Sequence, residues 1–257
     1  MQPDTHKIVS QAEWLEAHRA FSEREAEFLA LKDEIAQARL ALPWVKLEKA
    51  YLFDTPEGQK TLADLFGGNS QLIIKHFMLE PGQINGCVGC SFECDHMAGP
   101  LKHIPHHDVS FAAVARAPLD EIEAYKQRMG WTFPWVSSHG SDFNYDFDVS
   151  FTPEQMKNGT CFYNYQDMAA PIEDLSGLSA FYKDEDGTVY HTYSAFGRGA
   201  EELLSAYMVL DMTPKGRNET ERGDLTDWVR PHDLYGEGGT VEATGRYAAG
   251  QKDACCG

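Results

Sequence analysis

Cysteine is the residue type best placed to do chemistry in this 257-residue chain, and its six copies are clustered. Cys87, Cys90 and Cys94 lie close together, Cys255 and Cys256 are adjacent near the end, and Cys161 stands alone. The most informative motif is Cys87-Val88-Gly89-Cys90, between an apolar run that reads as a buried strand and a segment that reads as a helix. At a helix amino terminus, unpaired amides and the helix dipole stabilise a thiolate. Cys87 is therefore expected to be a low-pKa nucleophile, and Cys90, a turn further in, to close a disulfide with it. If the helix begins at Cys87, Cys94 follows on nearly the same stripe. A three-thiol stripe suits disulfide relay, or capture of a soft metal or metalloid together with His96 or a residue from elsewhere. Zinc is disfavoured, because no second Cys-x-x-Cys or His-x-x-x-His pair stands at finger spacing.

The other candidates have weaker readings. His103-Ile-Pro-His106-His107 invites a metal, but Pro105 breaks the helix and makes a polar connection the simpler reading. Cys255-Cys256 is too close for an unstrained disulfide; the pair either chelates a soft ion or belongs to an uninvolved end. Cys161 reads as structural. Trp131 to Trp135, Phe143 to Phe147 and Tyr163-Asn-Tyr165 are aromatic enough to wall a pocket, although such clusters usually fill cores.

The elements that must position the thiols follow from the sequence pattern. Ser10 and Glu13 have the spacing of a capping box, which starts a helix. Trp14, Phe21, Phe28, Ile35 and Leu42 then recur every seven residues until Pro43. A helix of about 32 residues is roughly 48 Å long, more than a compact domain spans. It is either a dimerisation arm or a helix lying along its own domain. Ala50–Phe53 reads as a short strand and Gln71–Met78 as a buried central strand. A helix is expected over Phe92–His103, a strand over Val109–Ala115, a helix over Asp120–Met129 and a strand over Phe133–Ser137. Two strands, Leu178–Tyr182 and Thr188–Tyr193, and a helix, Gly199–Leu210, complete a mixed sheet covered by helices. Beyond Tyr235 the chain turns Gly- and Ala-rich and reads as a mobile tail.

A net charge of −18 disfavours nucleic acid and anionic lipid as partners. No apolar run approaches the roughly 20 residues of a membrane span, and the polar start lacks the features of a secretory signal. Clustered cysteines with no leader point to a reducing cytoplasm.

Taken in order, Lys7-Ile-Val-Ser10 with Trp14, Leu42-Pro-Trp-Val45, Cys87-x-x-Cys90-Ser-Phe92, Arg128-Met-Gly-Trp131, Phe133-Pro-Trp-Val-Ser-Ser138, Ser141-Asp-Phe-Asn144, Phe181-Tyr-Lys-Asp184 and His191-Thr-Tyr193 resemble the bacterial thioredoxin-like proteins of domain-of-unknown-function family 899. The resemblance runs from about residue 6 to residue 235. It implies a thioredoxin- or peroxiredoxin-like fold and a dithiol-disulfide role, with Cys87 and Cys90 at the positions of the thioredoxin dithiol. Departures are visible. Gly86 replaces the tryptophan before the first cysteine, and Val88-Gly89 replaces Gly-Pro. The strand at Gly177-Leu178-Ser179 lacks the proline that faces a thioredoxin dithiol, and Asn85-Gly86 stands where a peroxiredoxin carries its threonine signature.

The expectation is an α/β protein with a thioredoxin/peroxiredoxin-like mixed sheet sandwiched by helices. Residues 1–43 form an N-terminal helical arm, 44–235 the thioredoxin-like domain and 236–257 a flexible tail. The expected activity is thiol-disulfide oxidoreduction at Cys87 and Cys90, acting on a protein or small-molecule thiol or disulfide; the alternative is metal or metalloid binding without turnover. No cofactor or resident metal, no nucleic acid and no membrane are expected, and the N-terminal helix is the candidate homodimer contact.

Overall fold

The structure, a computed structural model, describes residues 6–217, 219, 228–242 and 244–249. It begins with helix α1 (Gln11–Leu40), whose start is fixed by the expected capping box: the Ser10 side chain accepts from the Glu13 amide, and the Glu13 carboxylate accepts from the Ser10 amide. No residue of α1 is buried, so the helix lies on the surface and does not contribute to a core.

The chain then enters the edge of a sheet through β1 (Val45–Lys46), followed by a hairpin of β2 (Leu52–Thr55) and β3 (Gly58–Thr61). The central strand β4 (Gln71–His76) leads to α2 (Val88–Asp95), β5 (Val109–Ala115), α3 (Leu119–Met129) and β6 (Trp135–Ser137). Next come α4 (Phe143–Asp146), α5 (Pro153–Asn158) and a small hairpin of β7 (Cys161–Tyr163) and β8 (Gln166–Met168). The hairpin β9 (Gly177–Lys183) and β10 (Val189–Phe196), helix α6 (Ser205–Asp211) and the pair β11 (Thr240–Val241) and β12 (Tyr247–Ala248) complete the fold.

Eight strands pair in the order β1-β10-β9-β4-β5-β6-β2-β3. Strands β4, β5 and β6 are parallel, and β9 runs antiparallel to β4. The order β5-β4-β9-β10, with the cysteines at the first crossover, is the thioredoxin-like core. The β2–β3 hairpin, joined through β6, extends it at one edge.

Strand alternation divides the core in two. Phe111, Ala113 and Ala115 of β5 face the side that holds the cysteines, α3 and Trp135, whereas Ala112 and Val114 face Phe53, Phe66, Phe143 and Phe181. On β4 the same alternation sends Lys75 and His76 to opposite faces. His76 stacks on Phe143 and Phe147, and Lys75 meets Glu93 of α2.

Three local expectations differ from the structure. The helix expected over 92–103 is the short α2, followed by 3-10 turns over His96–Ala98, Pro100–Lys102 and Ile104–His107. Pro100 and Pro105 remove the amides that a continuous helix needs. The helix expected over Gly199–Leu210 is a 3-10 turn over Gly197–Leu203 followed by α6. The tail read from residue 236 onward is corrected over its described part. There β11 pairs with β12, and Tyr247 is buried with Val88, Phe92, Leu204, Tyr207 and Val229. One aromatic anchor holds a segment whose composition alone reads as unstructured. Cys255 and Cys256 lie outside the described residues.

Candidate active site

Cys87 is the N-cap of α2, and the Cys90 amide points at its Sγ at 3.5 Å. The turn is tied down at both ends. The Cys87 amide donates to the Met78 carbonyl at 3.2 Å, and the Ser91 hydroxyl donates to the Cys87 carbonyl at 2.8 Å while touching the Tyr125 hydroxyl at 3.0 Å. Gly86 is required here by close approach. A Cβ would come within 2.6 Å of the Phe77 ring and 3.0 Å of the Tyr125 ring, which explains why no tryptophan precedes Cys87. The loop before it is held by Arg128, which donates to Asn85 Oδ1 at 2.6 Å and grips Asp233 through Nε and Nη2.

Cys87, Cys90 and Cys94 are free thiols, all buried. Cys87 retains 8% exposure and Cys90 1%, so Cys87 is the sulfur an incoming group reaches first. The described part of the C-terminal segment restricts that access. The Val88 amide, which opens α2, donates to the Gly245 carbonyl at 2.8 Å. Gly245 has a left-handed backbone (φ +76°), and a Cβ there would sit 3.2 Å from Cys87 Sγ. Arg246 then pairs with Glu80 at 2.9 Å. Residues 244–247 thus form a strap across the dithiol.

Beneath the thiols lies a charged pair that the sequence reading missed. Lys75 is fully buried on β4. It forms an ion pair with Glu93, which follows Cys90 by three residues on α2, and donates to Ser176 Oγ at 2.5 Å. Burial works against the lysine's charge, but Glu93 and the sulfurs of Cys90 and Cys94 more than offset it and hold Lys75 protonated. Burial likewise pushes the Cys90 thiol up, while the hydrogen bond from Cys87 and the Lys75 ammonium bring it down to about 7. The Cys87 thiol moves the other way, raised well above the ordinary range by its hydrogen bond to the Cys90 sulfur and by burial. The two sulfurs share one easily lost proton, and the remaining charge rests on Cys90 with Cys87 donating to it. The sequence places the low-pKa thiol at Cys87; here the hydrogen bond to the Cys90 sulfur and burial raise Cys87, while the Lys75 ammonium works to lower both thiols. The signal was present as a lysine within an otherwise apolar strand, Gln71–His76.

Cys94 is also buried, and burial raises its thiol well above the ordinary value. Among the described residues, no three His, Cys, Asp or Glu side chains converge as a metal site. His96 is fully engaged, with Nδ1 at 2.6 Å from the Phe92 carbonyl and Nε2 accepting from the Ala206 amide at 3.0 Å. His103, His106 and His107 occupy the 3-10 turns and their connection, away from any core.

A family model described as a bacterial protein of unknown function, DUF899, matches residues 3–235. The chain belongs to this family. No curated protein matches the DUF899 chain. Solved structures that resemble it include peroxidoxin BcpB from Mycobacterium tuberculosis, 12% identical, covering 66% of this chain and 97% of that one at a TM-score of 0.43. A cysteine-to-serine variant of peroxiredoxin Q from Xanthomonas campestris is 15% identical, with coverages of 62% and 90% and a TM-score of 0.41. PrxQ from Xylella fastidiosa, also a cysteine-to-serine variant, is 17% identical, with coverages of 62% and 88% and a TM-score of 0.38. Among the described residues, no helix is long and apolar enough to cross a membrane.

Proposed function

We propose that this DUF899 protein is a thiol-disulfide oxidoreductase whose dithiol is Cys87 and Cys90. The observation that carries the reading is the placement of the two sulfurs at the start of α2, over a buried lysine that favours a thiolate between them. In the reducing direction, Cys90 thiolate accepts the Cys87 proton as Cys87 attacks one sulfur of a substrate disulfide. The substrate S–S bond breaks, one substrate thiolate leaves, and a mixed disulfide remains on Cys87. Cys90 passes that proton to the departed substrate thiolate, the Lys75 ammonium favouring the thiolate left behind, and attacks Cys87 Sγ. The second substrate thiolate leaves, and a Cys87–Cys90 disulfide forms. Two electrons pass from the dithiol to the substrate, and an external dithiol returns them to restore the enzyme.

The cytoplasm is the matching compartment in this proposal, because it keeps the resting dithiol reduced. The substrate is a protein or small-molecule disulfide able to displace the strap. Metal or metalloid capture draws less support, since the described thiols and His96 do not form a convergent donor set.

The α1 helix fits a contact with a second copy of the chain. Trp14, Phe21, Phe28, Leu31 and Ile35 are exposed along its seam.

The direct test is trapping. With Cys90→Ser, a small disulfide such as hydroxyethyl disulfide should leave a mixed disulfide on Cys87 that mass spectrometry locates. Labelling at Cys94 or Cys161 in its place would refute the assignment.

A further inference from the structure

A second concave site lies on the sheet face opposite the dithiol, in a cleft of about 240 Å³ between the β7–β8 hairpin and strand β10. Its walls are aromatic: Phe147, Phe162, Tyr165 and Phe196 all line it. Tyr165 is held there at a conformational cost. It and Asn164 both adopt left-handed backbone, at φ 63° and 51°, a region that bulky side chains avoid. The Tyr165 hydroxyl donates to the Ser194 carbonyl at 2.8 Å, which fixes the ring beside Phe196 with centroids 5.6 Å apart. Phe162 and Tyr165 nevertheless remain substantially exposed, so these rings are not simply core filling.

The charged groups that line the cleft are carboxylates. Asp146 and Asp148 line it, and the nearby Lys49 is committed to Asp142 and Asp146 at 2.7 Å each. The Asp148 carboxylate has no hydrogen-bond or ion-pair partner among the described residues, and burial together with Asp146 pushes its pKa up. His191, which also lines the cleft, is oriented through Nε2, 2.8 Å from Ser194 Oγ and 3.1 Å from the Tyr193 carbonyl. Burial disfavours its charged form, so it adds no competing cation.

We propose that this cleft binds a small organic ammonium ion, with the Asp148 carboxylate as counter-charge and the rings of Phe147, Phe162 and Tyr165 as its walls. Ring faces attract cations, and desolvation between them strengthens the attraction. An anion would meet two carboxylates. A hard divalent metal needs several converging oxygen ligands, and the described residues supply no such set. The volume is below the range of about 300–1,000 Å³ usual for drug-sized ligands, which favours a small ion.

The test titrates the intact protein with tetramethylammonium chloride at constant ionic strength, replacing sodium, and follows saturation transfer to the ligand methyl protons. The neutral probe tert-butanol is run in parallel. Saturable tetramethylammonium binding is expected, weakened about tenfold or more in Asp148→Asn and in Phe162→Ala, with tert-butanol bound at least about tenfold more weakly than the cation. Asparagine tolerates the left-handed backbone of Asp148, and Phe162 is exposed, so Phe162→Ala carries the test should Asp148→Asn misfold. Absence of saturable binding, equal binding of the neutral probe, or unchanged affinity in the folded variants would overturn the proposal.

Discussion

The amide of Val88 donates to the carbonyl of Gly245 at 2.8 Å. A residue far along the chain therefore occupies the first free amide of the helix that carries the dithiol, so close to Cys87 that a Cβ added to it would sit 3.2 Å from Sγ. This contact makes access to the site a property of the strap as well as of the thiols.

Replacing Gly245 with alanine should loosen the strap. The left-handed backbone disfavours a side chain by roughly 1–2 kcal/mol, and the new Cβ would crowd Cys87 Sγ at 3.2 Å. Alkylation of Cys87 by iodoacetamide should then accelerate several-fold with little change in global stability. A rate equal to or below that of the parent would show that the strap does not limit access.

Lys75 should set the titration of the dithiol. Removing it alone strands Glu93 as an unpaired buried charge, a change that costs about 3–5 kcal/mol. The informative variant is therefore Lys75→Met with Glu93→Leu. The first titration of the pair should rise above about 7, because Lys75 lowers the Cys90 thiol by more than Glu93 raises it, and alkylation at pH 7 should fall as the thiolate fraction drops. An unchanged pH–rate profile in a folded double variant would remove Lys75 from the account.

The fold and the positions of the thiols were largely legible in the sequence, and the charge arrangement around them was not. Val109–Ala115 is a strand at the residues expected, because a short apolar run leaves little room to misplace a buried strand. Ser10 and Glu13 likewise place the start of α1. The titration of the thiol pair is not legible because a helix N-terminus is a local feature, whereas the burial of Cys87 beside Cys90 and the contact of Lys75 with Glu93 and Ser176 form only when separate segments meet. The strap was missed for a related reason. Its Gly- and Ala-rich composition gives no local signal, and it is held by Tyr247 packing against residues far away in sequence.

Stability should fall in acid through His76. Burial, then the neighbouring Lys75 and His191, lower its folded pKa to about 3, against 6.5 for the free side chain. Between these values the unfolded chain binds a proton that the folded chain refuses. Stability present above pH 6.5 is therefore lost as the pH falls toward 3, at up to about 1.4 kcal/mol per pH unit. Chemical denaturation of His76→Gln across this window should show a correspondingly shallower slope. A slope equal to that of the parent would exclude His76 as a source of acid sensitivity.

The α1 seam should control self-association. Phe21→Glu with Phe28→Glu changes two exposed positions, so the fold should survive while the charges repel across a paired seam. Sedimentation velocity should show a dimer for the parent and a monomer for the variant, with the dissociation constant raised by more than about tenfold. A parent that stays monomeric at high micromolar concentration would refute the helix as a dimer contact.

The central claim is that Cys87 and Cys90 form one two-electron couple. The most direct measurement is equilibration of the full chain in glutathione buffers of graded potential, followed by alkylation and peptide mass mapping. A single two-electron transition, with a Cys87–Cys90 disulfide that disappears in both Cys87→Ser and Cys90→Ser, is the predicted result. Thiols that stay reduced in the most oxidising buffer, or a disulfide that pairs Cys94 or Cys161 instead, would contradict it.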